Sequence, residues 1–161
     1  MKATTAKAPK ARPDANKSRT HQPIFEPANT MVRIVPERTG PFELIAQSRS
    51  GVAHAEVRQL AALLELTIRE LAILLSMNER TMARRLVSGS LNKVESERLL
   101  LLKALAAHGL RVFEEQGKFN RWLRRPLEIL EGQSPLQLLD TATGFQVVDQ
   151  ILGRIEYGVY S

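Results

Sequence analysis

No cysteine occurs in this chain of 161 residues, so a disulfide framework and a thiolate metal site are both excluded. The absence fits a reducing cytoplasm, which is the expected location. No apolar run approaches the roughly 20 residues that span a bilayer, so no transmembrane helix is expected. The N-terminus is basic but lacks the apolar stretch of a secretory signal. The signatures of catalysis are missing as well. There is no P-loop, no Gly-x-Gly-x-x-Gly and no histidine cluster at metal-ligand spacing. His21, His54 and His108 are scattered, and each reads as a surface or satisfied polar residue. Glu114-Glu115 and Glu128/Glu131 read as helix-surface acids rather than an acid/base pair. No catalytic residue, metal ligand or cofactor is expected, and the chain is read as a non-enzyme.

Tyrosine is scarce, and its placement is uneven. Tyr157 and Tyr160 are the two in the chain, both within the closing "GRIEYGVYS". Chain ends are usually polar and frayed. An end carrying Ile155, Tyr157, Val159 and Tyr160 either folds back on its own domain or anchors something else.

Charge is present in excess, but not where a folded DNA-binding surface would need it. Residues 1–40 hold eight Lys/Arg against three Asp/Glu, and the other 121 hold fifteen against fourteen. The net charge of +6 therefore belongs mostly to the N-terminus, and any nucleic-acid argument must come from local patterning. The opening "MKATTAKAPKARPDANKSRTHQP" is nearly free of large apolar residues and cannot offset the entropy of ordering, so it reads as disordered. Residues 23–40 leave two readings open. They are either more solvated tail or, through Met31-Val32-Arg33-Ile34-Val35, a strand-like segment docked between prolines.

From Pro41 onward the apolar pattern is helical. Pro41 opens a short helix through Gln47, and Gly51 separates it from a helix over 52–65 with Val57, Leu60, Ala61, Leu63 and Leu64 on one face. Thr67-Ile68-Arg69-Glu70 is a capping box, followed by Leu71, Ala72, Leu74 and Leu75 as a buried face. Ser76-Met77-Asn78 forms a break, with Asn78 capping a second helix through Val87. Asn92 and Glu95 start the longest helix, expected to run to about Gln116 and to stop at Gly117. "KFNRWLRRP" predicts a short helix stopped by Pro126, and Ser134-Pro135 starts another. Thr141 or Thr143 caps a final helix through about Tyr157, with Phe145, Val148, Ile151, Leu152 and Ile155 on one face. Trp122, Leu123, Leu127, Ile129, Leu130, Leu136, Leu138 and Leu139 are expected in the core. Gly132 and Gly144 read as turn or cap positions. The fold class is all-α.

Two short helices three residues apart, the second starting on an N-cap and carrying arginines, have the layout of a helix-turn-helix. One face of the second helix, Met82 and Leu86, must pack inward. The opposite face must offer donors to phosphates and base edges in a major groove. The DNA-facing set is expected to be Asn78, Glu79, Arg80, Thr81, Arg84 and Arg85, with Ala83 among them. Two residues depart from the usual pattern: Ser76 stands where the turn often has glycine, and Arg85 where a buried aliphatic is common. That leaves the groove-facing register open by one position.

Three segments carry a family resemblance: "RTMARRLVSGSLNKVESERLLLL" (80–102), "WLRRPLEILEGQSPLQLLDTATG" (122–144) and "VVDQILGRIEYGVYS" (147–161). Together they resemble the Xre-MbcA-ParS toxin-binding family, and more narrowly the Xre antitoxins paired with RES-domain toxins in type II toxin–antitoxin systems. The similarity spans roughly Pro41 to Ser161 and leaves the basic N-terminus out. It implies an antitoxin that represses its own operon through operator DNA and neutralises a RES-domain toxin that degrades NAD⁺. In that family the C-terminal part covers the entrance of the toxin active site. The resemblance thus implies a toxin-binding segment of Glu156, Tyr157, Gly158, Val159, Tyr160 and Ser161, with the tyrosines as anchors and the Ser161 carboxylate paired to an arginine of the toxin.

The expected organisation is a basic tail (1–40), a helix-turn-helix domain (41–91), and a long connecting helix with a C-terminal toxin-binding domain (92–161). A homodimer or higher oligomer is expected, since single helix-turn-helix units bind as two-fold dimers. The rival reading is a free-standing dimeric repressor without a toxin partner. No membrane partner is expected.

Overall fold

A computed structural model describes residues 40–87 and 89–158. The basic tail, apart from Gly40, lies outside these residues, as do Val159, Tyr160 and Ser161 of the expected toxin-binding segment. The elements in order are α1 (Pro41–Ser50), α2 (His54–Leu63), α3 (Ile68–Leu74), α4 (Glu79–Val87), α5 (Lys93–Phe113), α6 (Gln116–Arg124), a 3₁₀ turn (Glu128–Leu130), α7 (Pro135–Leu138) and α8 (Ala142–Glu156). Among the described residues no strand forms, and one isolated antiparallel bridge pairs Ala53 with Ser90. The chain is all-α, as its periodicity indicated.

Side chains three residues apart start the helices. At the head of α3 the Glu70 N–H donates to Thr67 Oγ1 at 3.2 Å, and the Thr67 N–H donates to Glu70 Oε2 at 2.8 Å. Asn92 and Glu95 repeat the exchange at the head of α5, at 2.9 and 2.8 Å. Asn78 caps α4 by accepting from the Thr81 N–H at 2.8 Å. Of the two threonine candidates for α8, Thr141 is the cap, accepting from the Gly144 N–H at 3.0 Å.

Helices α2 and α3 both stop on a left-handed residue. Glu65 and Ser76 each have φ +53°, and the next amides close back on the helix: Leu66 N–H to Ala61 O and Met77 N–H to Ala72 O, both at 2.9 Å. This geometry explains why glycine suits the turn between α3 and α4. Serine holds the position at a steric cost, because its Cβ crowds the following carbonyl. Ser76→Gly is expected to raise stability by about 0.5–1 kcal/mol, read as a higher midpoint in thermal denaturation.

Helices α1 and α2 end at Ser50 and Leu63 rather than at Gln47 and residue 65, and one further helix end and one core position differ more. Helix α5 ends at Phe113, and Gly117 lies inside α6 rather than terminating α5. The stop is Glu114, at φ +57°, whose N–H closes on Leu110 O at 2.9 Å. The reversal is held by packing between α5 and α6. It lets Phe119 and Trp122 of α6 meet Phe113, with ring centroids 5.9 and 5.4 Å apart. The fully buried Phe119 ring lies against Gly109, near the C-terminal end of α5, where any Cβ would overlap it. The second difference is Ile129, expected in the core but more than half exposed. The 3₁₀ turn points it outward while Leu130 takes the buried position.

The two halves, 41–91 and 92–161, share one hydrophobic core that runs from Val52 to Leu152. Side chains of the second half also cap helix ends of the first. Asn120 Nδ2 donates to Leu63 O at 3.0 Å, and Arg124 Nη2 donates to Leu64 O and Glu65 O at 3.1 and 2.8 Å. Arg98 Nη1 joins Leu74 O at 3.2 Å to Asp140 O at 2.9 Å. These bonds satisfy carbonyls that a helix C-terminus leaves without partners. They tie the end of α2 to α6, and the end of α3 to α5.

Candidate functional site

The first site is the outer face of α4. Met82 and Leu86, four apart, are buried against α2 and α3, so the residues opposite them face outward. Arg80, Ala83, Arg84 and Val87 are all exposed and follow i, i+3, i+4, i+7, a single stripe along the helix. Two guanidinium groups one turn apart suit phosphate oxygens or guanine O6 and N7, and the methyl groups of Ala83 and Val87 suit thymine. Asn78 and Glu79 are exposed at the helix start, and Thr81 is half-buried.

Arg85 leaves the expected DNA-facing set. Its Nη1 donates to Ser90 O at 2.8 Å and its Nη2 lies 3.5 Å from Glu95 Oε2, the carboxylate that also caps α5. The position is on the inward edge of α4, next to Leu86. An arginine there reaches across to the next helix start instead of outward. Two exposed residues that sequence reasoning did not single out lie on or beside the stripe. Val87 completes the exposed stripe at 79% exposure. Arg69, exposed in the first turn of α3, sits 3.9 Å from Glu79 beside the N-terminus of α4. The first helix of such a pair crosses the DNA backbone, where an exposed guanidinium is useful. Arg69 was legible only as part of a capping box.

The second site is the end of α8. Helix α8 packs along α5 through Phe145, Val148 and Leu152, all buried. Gly144, read from sequence as a turn or cap, lies in the first turn of α8, where any Cβ would overlap the Leu138 carbonyl oxygen of α7. Its role is close approach. Where α8 stops, Ile155 is half-buried and Glu156 is exposed. Tyr157 is 75% exposed, and Gly158 turns the chain with φ +67°. A groove of about 510 Å³ runs beside this end between α1, α5 and α8, with Leu44, Leu100, His108, Asp149 and Tyr157 among its walls. Of the expected toxin-binding residues, the structure thus brings Glu156, Tyr157 and Gly158 together at one projecting corner. This corner is far along the sequence from the α4 stripe, and the two sites share no residue.

Two family models cover most of the described chain. Residues 43–102 match a model described as the antitoxin Xre-like helix-turn-helix domain. Residues 108–158 match the antitoxin Xre/MbcA/ParS C-terminal toxin-binding domain. An Antitoxin Xre of Pseudomonas putida is 31% identical over 125 residues, covering 77% of this chain and 77% of its own. The chain belongs to the Xre antitoxin family. This antitoxin is also 28% identical over 134 residues to a Prs ADP-ribosylating antitoxin of Sphingobium, covering 77% of this chain and 84% of that one. An Antitoxin Xre of Yersinia enterocolitica is 34% identical over 79 residues, 48% of this chain and 53% of that one. The antitoxin is a non-catalytic binding protein with a toxin as its partner. The toxin-binding match starts at His108, within α5, so the long helix belongs to both matched regions at its two ends. Among the described residues no helix is long and apolar enough to cross a membrane.

Proposed function

We propose that this antitoxin neutralises a RES-domain toxin in the cytoplasm by laying Glu156–Ser161 over the toxin's active site, and that it represses its own operon by placing α4 in the major groove of operator DNA. The observation that carries the toxin half is the exposure of Tyr157, at 75%, at the point where α8 ends. A self-docked end would have covered this ring. Tyrosine at such a corner is a large anchor with little side-chain entropy to lose, the type enriched at the centre of interfaces. The operator half rests on the exposed stripe of Arg80, Ala83, Arg84 and Val87, with Asn78, Glu79 and Thr81 at its N-terminal end. A two-fold dimer would present two such helices to successive grooves.

The test is co-expression with the RES-domain protein encoded beside the antitoxin gene, using the full chain and a chain ending at Glu156. Growth and cellular NAD⁺ are measured. The full chain is expected to restore both, and the shortened chain neither. Rescue by both chains would remove the tail from the mechanism. Failure of both to rescue would favour a free-standing repressor.

A second reading has a specific observation behind it. The name of the Sphingobium relative couples its system to ADP-ribosylation of Prs. A partner toxin of that chemistry would consume NAD⁺ by transferring ADP-ribose to a protein. The same cultures separate the two readings by mass spectrometry. An ADP-ribose adduct on a host protein, suppressed by the antitoxin, supports transfer, whereas NAD⁺ loss without an adduct supports degradation.

A further inference from the structure

His108 of α5 faces two carboxylates of α8. Its Nδ1 is 2.7 Å from Asp149 Oδ1 and its Nε2 is 3.2 Å from Glu156 Oε2, and its side chain is only 14% exposed. Asp149 and Glu156 are seven residues apart, two turns of one helix face, so a single ring spans the last two turns of α8. An ionised carboxylate has no hydrogen to give. Each ring nitrogen that carries a proton can donate to the carboxylate it faces. The neutral ring has one N–H and leaves one carboxylate facing a lone pair. The second carboxylate belongs to Glu156, the final residue of α8. The Tyr157 and Gly158 amides close on Gly153 O and Ile155 O at 3.1 and 3.2 Å immediately after it.

We propose that His108 is a positioning residue for the toxin-binding corner: bridged to Asp149 and Glu156, its ring holds the last turn of α8 and so sets the direction in which Tyr157 leaves the body. The proposal rests on the reading that this segment contacts the toxin. Holding the end in one orientation lowers the ordering cost of binding, so affinity should fall when the bridge is removed. The other charged groups lining the groove are Glu43 of α1 and Lys103 and Arg111 of α5. Lys103 is already paired with Glu56 at 2.9 Å, which leaves the carboxylates as the ring's own partners.

Two readouts test this on the full chain. Amide-exchange protection of Tyr157 and Gly158 in the free protein is compared for wild type, His108→Gln and Asp149→Asn. Affinity for the RES-domain protein encoded beside the gene is measured for the same three proteins. Wild type is expected to be more protected and to bind more tightly than either variant. His108→Gln is expected to bind about tenfold more weakly than wild type. Asp149→Asn weakens one contact without touching His108 or Glu156, and should fall between the two; it serves if the glutamine variant does not fold. Wild-type protection and wild-type affinity in both variants would overturn the proposal. If truncation after Glu156 weakens binding but the His108 variant does not, the positioning role alone falls. If truncation also leaves binding unchanged, the toxin-contact reading beneath it falls as well.

Discussion

Gly144→Ala should destabilise the antitoxin by about 2–3 kcal/mol or more, although alanine is the better helix former by about 1 kcal/mol. The residue lies in the first turn of α8 and its N–H donates to the Thr141 cap at 3.0 Å. A methyl group there meets the Leu138 carbonyl oxygen, which is backbone of α7 and cannot rotate away. Either α7 withdraws or the cap breaks. Both outcomes loosen α8 from α5, and with it the corner that carries Tyr157. Gly153 supplies the control within the same helix. A Cβ there meets nothing within 4 Å, so Gly153→Ala is expected to stabilise by up to about 1 kcal/mol. Chemical denaturation of the two variants checks the contrast. Similar stabilities would mean that α7 and α8 are not packed as described.

Replacing Arg80 and Arg84 together by alanine is expected to weaken binding to the antitoxin's own promoter fragment by roughly 10²–10⁴-fold, since each well-placed guanidinium is worth about 1–3 kcal/mol at a base edge. Where these groups meet phosphates instead, the dependence of affinity on salt should flatten by about one released counterion per arginine. Fluorescence anisotropy at several salt concentrations separates the two kinds of contact. Arg85→Met is the internal comparison. That guanidinium is held by Ser90 O and Glu95, so its loss should lower the melting temperature and leave the salt slope unchanged. An equal loss of slope in Arg85→Met and Arg84→Ala would shift the groove-facing register by one residue.

That register shows where sequence reasoning stopped. A triplet such as Ala83-Arg84-Arg85 has one helical phase, yet the phase is set by which neighbour is buried. Met82 and Leu86 are buried together, which turns Arg84 outward and Arg85 toward Ser90 and Glu95. Chemical type alone ranks the two arginines equally. Glycine misled in a similar way. Gly117 looked like a helix stop and Gly144 like a turn or cap, but Glu114 makes the stop, and Gly144 and Gly109 admit the Leu138 carbonyl and the Phe119 ring. Glycine marks a demand on the backbone without saying whether the demand is angular or spatial.

What the amino-acid order determined on its own was local. The caps at Thr67, Asn78 and Asn92, the turn at Ser76 and the helical spacing of the buried leucines all follow from residues within about four positions of one another. Hydrogen bonds of that reach form wherever the helix forms. The resemblance that identified the toxin-binding half likewise lay in linear motifs. Tertiary structure alone decided the inward turn of Arg85, the seat of Phe119 on Gly109, the outward Tyr157, and the meeting of His108 with Asp149 and Glu156. The last of these joins residues 41 and 48 positions apart. Contacts of that separation exist only after loop closure has been offset by a packed core, so no short window of sequence can contain them.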